Sequence, residues 1–214
     1  TIQFDYGQFT DAVSKYQSFL QAAPKSELAP LAQLRLGICQ IQLKQQDGAR
    51  TLQPLMDNKE LGDQATWWVG KLQRILADPA NAEQHKRMVQ AAIVTFGRAG
   101  EKSAVLAKTD AAAAARHGDI LLDIADAYTS IKMFKEAAPV YESLAKDASN
   151  SARAETAHER WAMSLCREGQ SAASDAACAS FLQKYPQSML KPSVMFWQAE
   201  NSYQQGLALA TKSD

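Results

Sequence analysis

Residues 119–146, DILLDIADAYTSIKMFKEAAPVYESLAK, and residues 156–183, TAHERWAMSLCREGQSAASDAACASFLQ, can be laid over each other with a shift of 37 residues. Ala125, Tyr128, Phe134, Ala137, Tyr141 and Leu144 then fall on Ala162, Leu165, Ser171, Ser174, Cys178 and Phe181. The steps between them (3, 6, 3, 4 and 3 residues) suit two helices joined by a tight turn. The unit of the stretch His117–Pro186 is therefore a repeated helical hairpin, and such units mostly bind things.

The 214 residues hold 46% apolar and 21% charged side chains, with ten Gly and seven Pro, so an all-helical folded chain with a sizeable core is expected. Lys plus Arg equal Asp plus Glu, 23 of each, and no basic stripe stands out, which argues against a nucleic-acid partner. No apolar run reaches the roughly 20 residues of a membrane span. The chain opens at Thr1 without a Met or a leader-like stretch, and its first helix reads as the second half of a repeat, so a removed leader is expected. Cys39, Cys166 and Cys178 have no CxxC spacing and suit buried helix positions; Cys166 and Cys178 are left open as a pair.

The pattern continues on both sides. Asp5–Ala23 carries an amphipathic stripe of Phe9, Ala12, Val13, Tyr16, Phe19 and Leu20, stopped by Pro24. Pro30 opens a helix with Leu31, Leu34, Leu36, Ile38, Ile41 and Leu43 on its apolar face, and a short helix from Ala49 must bend at Pro54. Residues 58–63 read as a loop and Gln64–Leu76 as a helix. Asn81 starts Ala82–Phe96, with Met88, Ala91, Ala92 and Phe96 on one side. Arg98-Ala99-Gly100 reads as a turn and Glu101–Arg116 as a further, alanine-rich helix. After Phe134–Asp147, Ala152–Arg167 and Ser171–Tyr185, a last helix is expected to bury Val194, Met195, Trp197, Ala199 and Tyr203 up to Gly206, with Leu207–Asp214 as its frayed continuation. This predicts a single domain with N-terminal repeats over 1–77, an irregular helical middle over 78–116 and C-terminal repeats over 117–214.

At these residues the chain resembles the tetratricopeptide repeat family, which sets a small residue at the helix crossing, aromatic residues around it and a closing Pro. Phe9, Ala12, Tyr16, Phe19 and Pro24, with Gly7, match the second half of a unit. Ala125, Tyr128, Phe134, Ala137 and Tyr141 match both halves of another. Gly37 with Ala49, Gly70, Ala162 with Gly169 and Pro186, and Ala199 with Gly206 are partial matches. The resemblance implies an all-α, right-handed superhelical solenoid of helix–turn–helix repeats, about five full or partial. The links Ala23-Pro24-Lys25-Ser26 and Tyr185-Pro186-Gln187-Ser188 are similar to those of the periplasmic branch, with its BamD-like assembly lipoproteins and YbgF-like proteins. That implies a periplasmic or cell-envelope setting, with a cytoplasmic adaptor as the alternative.

In this family the first helices line a concave groove that holds a peptide or partner helix. The implied groove residues are Arg35, Trp68, Lys71, Asp119, Asp123, Asp126, Glu159, Arg160, Trp197 and Glu200. Asp119, Asp123 and Asp126 share one helical face, either as an acidic strip for a basic segment or as an ordinary solvated face. Of the adjacent Trp67 and Trp68, one is expected buried and the other lining the groove; Trp161 and Trp197 are either core or anchors. His85, His117 and His158 have no ligand spacing, and no catalytic, metal, nucleotide or cofactor motif appears. The sequence thus points to a non-catalytic scaffold for a protein or peptide partner. A second reading is a self-associating module in which Phe4–Phe19 and Trp197–Tyr203 dock onto another copy to form homo-oligomers.

Overall fold

The computed structural model describes residues 6–147 and 150–211; the expected roles of Phe4, Asp5 and Ser149 lie outside them. The described residues form ten α-helices and no strand: α1 Tyr6–Ala22, α2 Ala29–Gln42, α3 Asp47–Leu52, α4 Gly62–Ile75, α5 Ala82–Leu106, α6 Ala111–Ser130, α7 Phe134–Lys146, α8 Ser151–Arg167, α9 Ser171–Lys184 and α10 Lys191–Ala210. The chain is an all-α array in which each helix packs mainly on its neighbours in sequence. It divides into two compact units, Thr1–Ile120 and Leu121–Asp214, with the boundary inside α6.

Three hairpins are built by one rule. Gly37, Ala125 and Ala162 sit where a first helix crosses its partner, and all three are buried. Seven residues later Lys44, Lys132 and Gly169 take positive φ angles of 59°, 61° and 73°. That left-handed residue lets the next amide reach back to close the helix end. Gln45 N–H donates to Gln40 O, Met133 N–H to Tyr128 O and Gln170 N–H to Leu165 O, at 2.9 Å in each case. The turn expected at Ile131-Lys132-Met133 is therefore present, with a lysine paying the strain that glycine avoids at Gly169.

In the first unit the crossings are tighter. A Cβ on Gly37 would stand 2.4 Å from Leu52 Cδ2, and one on Gly70 would stand 2.6 Å from the ring of Phe96. Phe96 is fully buried, so its ring has nowhere to retreat. Leu34, Ile41, Leu52, Leu55, Ala65 and Leu72 form the core of α2, α3 and α4. Pro54 ends α3 in a short 3₁₀ turn, Gln53–Leu55, as its missing N–H requires. Asn58 Oδ1 accepts from the Glu60 and Leu61 amides, so α4 begins at Gly62, within the stretch expected to be a loop.

The middle of the chain departs from expectation. No turn forms at Arg98-Ala99-Gly100, and the expected helix Glu101–Arg116 is divided between α5 and α6. Each glycine costs a helix about 1 kcal/mol, but burial of Val89, Ala92, Phe96 and Ala99 on one face carries α5 through. Ala91, expected on that face, is exposed. At the start of α5, Asn81 Oδ1 accepts from Gln84 N–H at 3.0 Å as expected. The break lies at residues 107–110, where Asp110 Oδ1 accepts from the Ala112 amide at 2.8 Å.

The second unit repeats itself side chain for side chain. Ala125 and Ala162, Ala137 and Ser174, Tyr141 and Cys178, and Leu144 and Phe181 are all buried. Ser174 donates its hydroxyl to Ala162 O at 2.9 Å, which satisfies a polar group at the crossing. Cys166 and Cys178 are free and buried, so the pairing left open by the sequence is not made. On α10 only Val194 and Asn201 are buried; the expected inward residues Met195, Ala199 and Tyr203 are exposed. The helix runs on through Gly206 to Ala210, into the stretch expected to continue it.

Asp63 at the start of α4 is fully buried and accepts from Arg116 Nε of α6 at 2.9 Å. Removing the guanidinium with Arg116→Met strands that carboxylate, and should destabilise the protein by about 3–5 kcal/mol in denaturant titration; adding Asp63→Asn should recover a large part. Gly70→Ala should cost about 1–3 kcal/mol by overpacking, whereas Gly97→Ala, where a Cβ meets nothing within 4 Å, should not destabilise.

Candidate partner-binding face

The first helices of the hairpins, α2, α4, α6, α8 and α10, carry the candidate residues two positions before or one after the crossing residue, with Asp119 and Glu159 nearby. In the second unit four of them are drawn together in pairs. Asp126 of α6 accepts a very short hydrogen bond from Arg160 Nη1 of α8. The same carboxylate oxygen accepts from Tyr141 Oη at 2.6 Å, and Tyr141 Oη lies 3.2 Å from Thr129 Oγ1. Burial, then the Asp126 carboxylate, push the Tyr141 hydroxyl well above the ordinary phenol range. Burial works against the charge on Arg160, but the Asp126 carboxylate outweighs it and the guanidinium is held more firmly protonated.

Glu159, next to Arg160 on α8, reaches the other neighbour. It accepts from Ser193 Oγ at 2.5 Å and from Trp197 Nε1 at 2.8 Å, both on α10. The Arg167 guanidinium lies 5.2 Å from the Trp197 ring centre, and Phe196 meets that ring edge-on at 5.0 Å. Glu155, one turn before Glu159, accepts from Ser188 Oγ in the link to α10. α8 is thus stitched to α6 by one ion pair and to α10 by a carboxylate that binds an indole and a hydroxyl. Ser193 carries no signal in the sequence, and Ser188 is marked there only as part of the Pro186 link, because serine near a helix start is common as a cap.

Glu200 accepts from Gln204 Nε2 at 2.9 Å. Along α6, Asp119 is exposed and Asp123 half-buried. Among the described residues no group of three or more His, Cys, Asp and Glu side chains converges as a metal site would require, and no helix is long and apolar enough to cross a membrane.

In the first unit, Trp67 and Trp68 of α4 hold their rings 6.2 Å apart at 48°. The Lys71 ammonium lies 4.4 Å from the Trp67 ring centre and 5.4 Å from that of Trp68. Both rings are half-buried, so neither is enclosed as expected; Trp68 packs on the Leu34–Leu72 core and Trp67 holds the closer cation contact. Adjacent helix residues point about 100° apart, which is the only sequence signal that separates them. Arg35 of α2 is exposed and lines a cleft of about 360 Å³ with Lys15, Tyr16, Phe19, Leu28, Leu31 and Ala32.

Residues 157–188 match the tetratricopeptide repeat. They take in most of α8, all of α9 and the Pro186 link, the hairpin in which Ala162 crosses Ser174. This repeat is a protein–protein interaction module, and the resemblance stands on that hairpin. No curated protein matches the chain.

Behind the stitched face, His158 is buried among the rings of Trp161, Phe181 and Tyr185, with Nε2 3.1 Å from Ala177 O. Burial lowers its pKa from 6.5, outweighing the carbonyl contact that would raise it; Lys184 lowers it further. The folded protein therefore keeps the ring neutral while the unfolded chain takes up a proton near pH 6.5. Stability from this ring is complete above that pH and is lost as pH falls from it toward the folded-state value. Thermal melts should drop more steeply between neutral and mildly acid pH for the parent than for His158→Gln, and parallel curves would refute the assignment.

Proposed function

We propose that this chain is a non-catalytic scaffold that holds a segment of a protein partner against its first-helix face, with the contact centred on α4 in the first unit. The observation that carries the reading is the cluster of Trp67, Trp68 and Lys71: two indole rings beside an ammonium group, all half-buried rather than enclosed. Rings of this kind supply large contact area at little conformational cost, and tryptophan is enriched where interfaces concentrate their binding energy. In the second unit Asp126 pairs with Arg160, and Glu159 with Trp197. These contacts set the spacing of α6, α8 and α10. The partner segment that suits α4 carries an apolar or aromatic side chain beside a carboxylate, which Lys71 would meet.

The test is an array of short peptides of varied charge and aromatic content, followed by solution affinities for the tightest binder. Trp67→Ala combined with Lys71→Glu should weaken binding at least about tenfold, a loss of 1.4 kcal/mol, with helicity and melting unchanged. Full affinity in that double variant would remove the cluster from the site. So would selection of only basic peptides by the parent protein.

A further inference from the structure

The two terminal helices of the described array are complementary halves of one hairpin. In α1, Phe9, Ala12, Tyr16 and Phe19 repeat the steps of Phe134, Ala137, Tyr141 and Leu144 in α7. In α7 the alanine and tyrosine are fully buried and Leu144 nearly so, packed with Ala125 of α6. In α1 all four are only half-buried. Tyr16 and Phe19 instead line the open cleft, beside Leu28 and Leu31, which are 60% and 41% exposed. α1 therefore has the face of a second helix without a first helix lying on it among the described residues.

α10 shows the converse. Ala199 follows Ala162 by the same 37 residues that separate Ala162 from Ala125, yet those two are 0% exposed and Ala199 is exposed. Around it Met195, Phe196 and Tyr203 are 53%, 55% and 61% exposed. α10 is a first helix whose crossing face is uncovered. Its charge completes the match. Asp126, one residue after a crossing alanine, pairs with Arg160, two residues before the next. Glu200 follows Ala199 and Arg35 precedes Gly37 at these same positions, and Arg35 has no hydrogen bond or ion pair among the described residues.

We propose that the cleft between α1 and α2 receives α10 of a second copy of this chain, joining copies head to tail. Ala199 then crosses Ala12 as Ala125 crosses Ala137, and Glu200 exchanges its contact with Gln204 for Arg35. Lys15, ion-paired with Asp11, adds a second cation at the cleft. The second copy is favoured over another protein because α10 already carries the small residue, the following carboxylate and the exposed apolar side chains that the cleft lacks. The contact joins two different surfaces, so copies either propagate or close into a ring, of which a reciprocal dimer is the smallest. It uses the ends of the array and does not rest on the α4 reading.

Light scattering and sedimentation of the whole chain over a wide concentration range provide the test. The expected result is a mass that rises with concentration above that of one chain. Ala199→Arg and Leu31→Arg lie at exposed positions, so each should fold with parent helicity and be monomeric alone. Mixed, they should form a one-to-one dimer that grows no further, because only one intact cleft and one intact α10 face remain. Arg35→Glu or Glu200→Arg alone should weaken association about fivefold, and the two combined in one chain should restore it. A parent chain that is monomeric throughout overturns the proposal. So does association untouched by Ala199→Arg and Leu31→Arg. A parent monomer that binds a peptide of residues 111–130 would show that the cleft takes a foreign helix instead of a second copy.

Discussion

The close approach of two helices through a residue with little or no side chain is the constraint on which the rest of this structure depends. Where Gly37 meets Leu52, and Gly70 meets Phe96, a single added carbon has no room. Ala125 and Ala162, at the same place in their hairpins, are fully buried, so a larger side chain there would crowd the partner helix. The crossing fixes how far apart the paired helices lie, and the left-handed residue seven positions on fixes how tightly the chain turns between them. Together they make each hairpin a rigid block, whose outer apolar faces must then be buried by the next block.

Burial by the neighbour leaves a polar problem along the first helices, and the second unit solves it locally. A carboxylate or guanidinium half-removed from water is costly unless a partner is held close. Asp126 with Arg160, and Glu159 with Ser193 and Trp197, meet that need between successive first helices. Charges at groove positions therefore measure how the array is spaced as much as what it binds. A position of this kind suggests a ligand contact only when its counterpart on the adjacent helix is missing.

Much of this was legible in the residues. The 37-residue shift located α6 to α9 and paired their crossing and inward positions, because those positions are set by packing that both hairpins share. The helix caps at Asn81 and the bend at Pro54 were equally readable, since they follow from local backbone chemistry. What could not be read was where tertiary burial overrides local preference. Arg98-Ala99-Gly100 has the residues of a turn and lies within α5, since Phe96 and Ala99 are drawn into the core. Asp110, a weak signal among alanines, marks the real break. Met195 and Tyr203 have the spacing of a buried stripe, but spacing does not say whether a covering helix exists. The pairing of candidate site residues lay across separations of more than 30 residues, as with Asp126 and Arg160, and no periodic pattern carries that.

The Asp63–Arg116 ion pair has a consequence for how the molecule assembles. Contacts in a helical array are mostly between neighbours, so blocks can form and dissolve nearly independently, and folding is fast because little chain must be ordered to make each contact. This pair joins residues 53 apart, and Lys102 reaches the Met56 carbonyl across 46. Each closes a long loop, an entropic cost met only once α4, α5 and the start of α6 are in place together. The first unit therefore has a late, concerted step in its folding, and its opening under stress should involve that whole segment rather than one hairpin at a time.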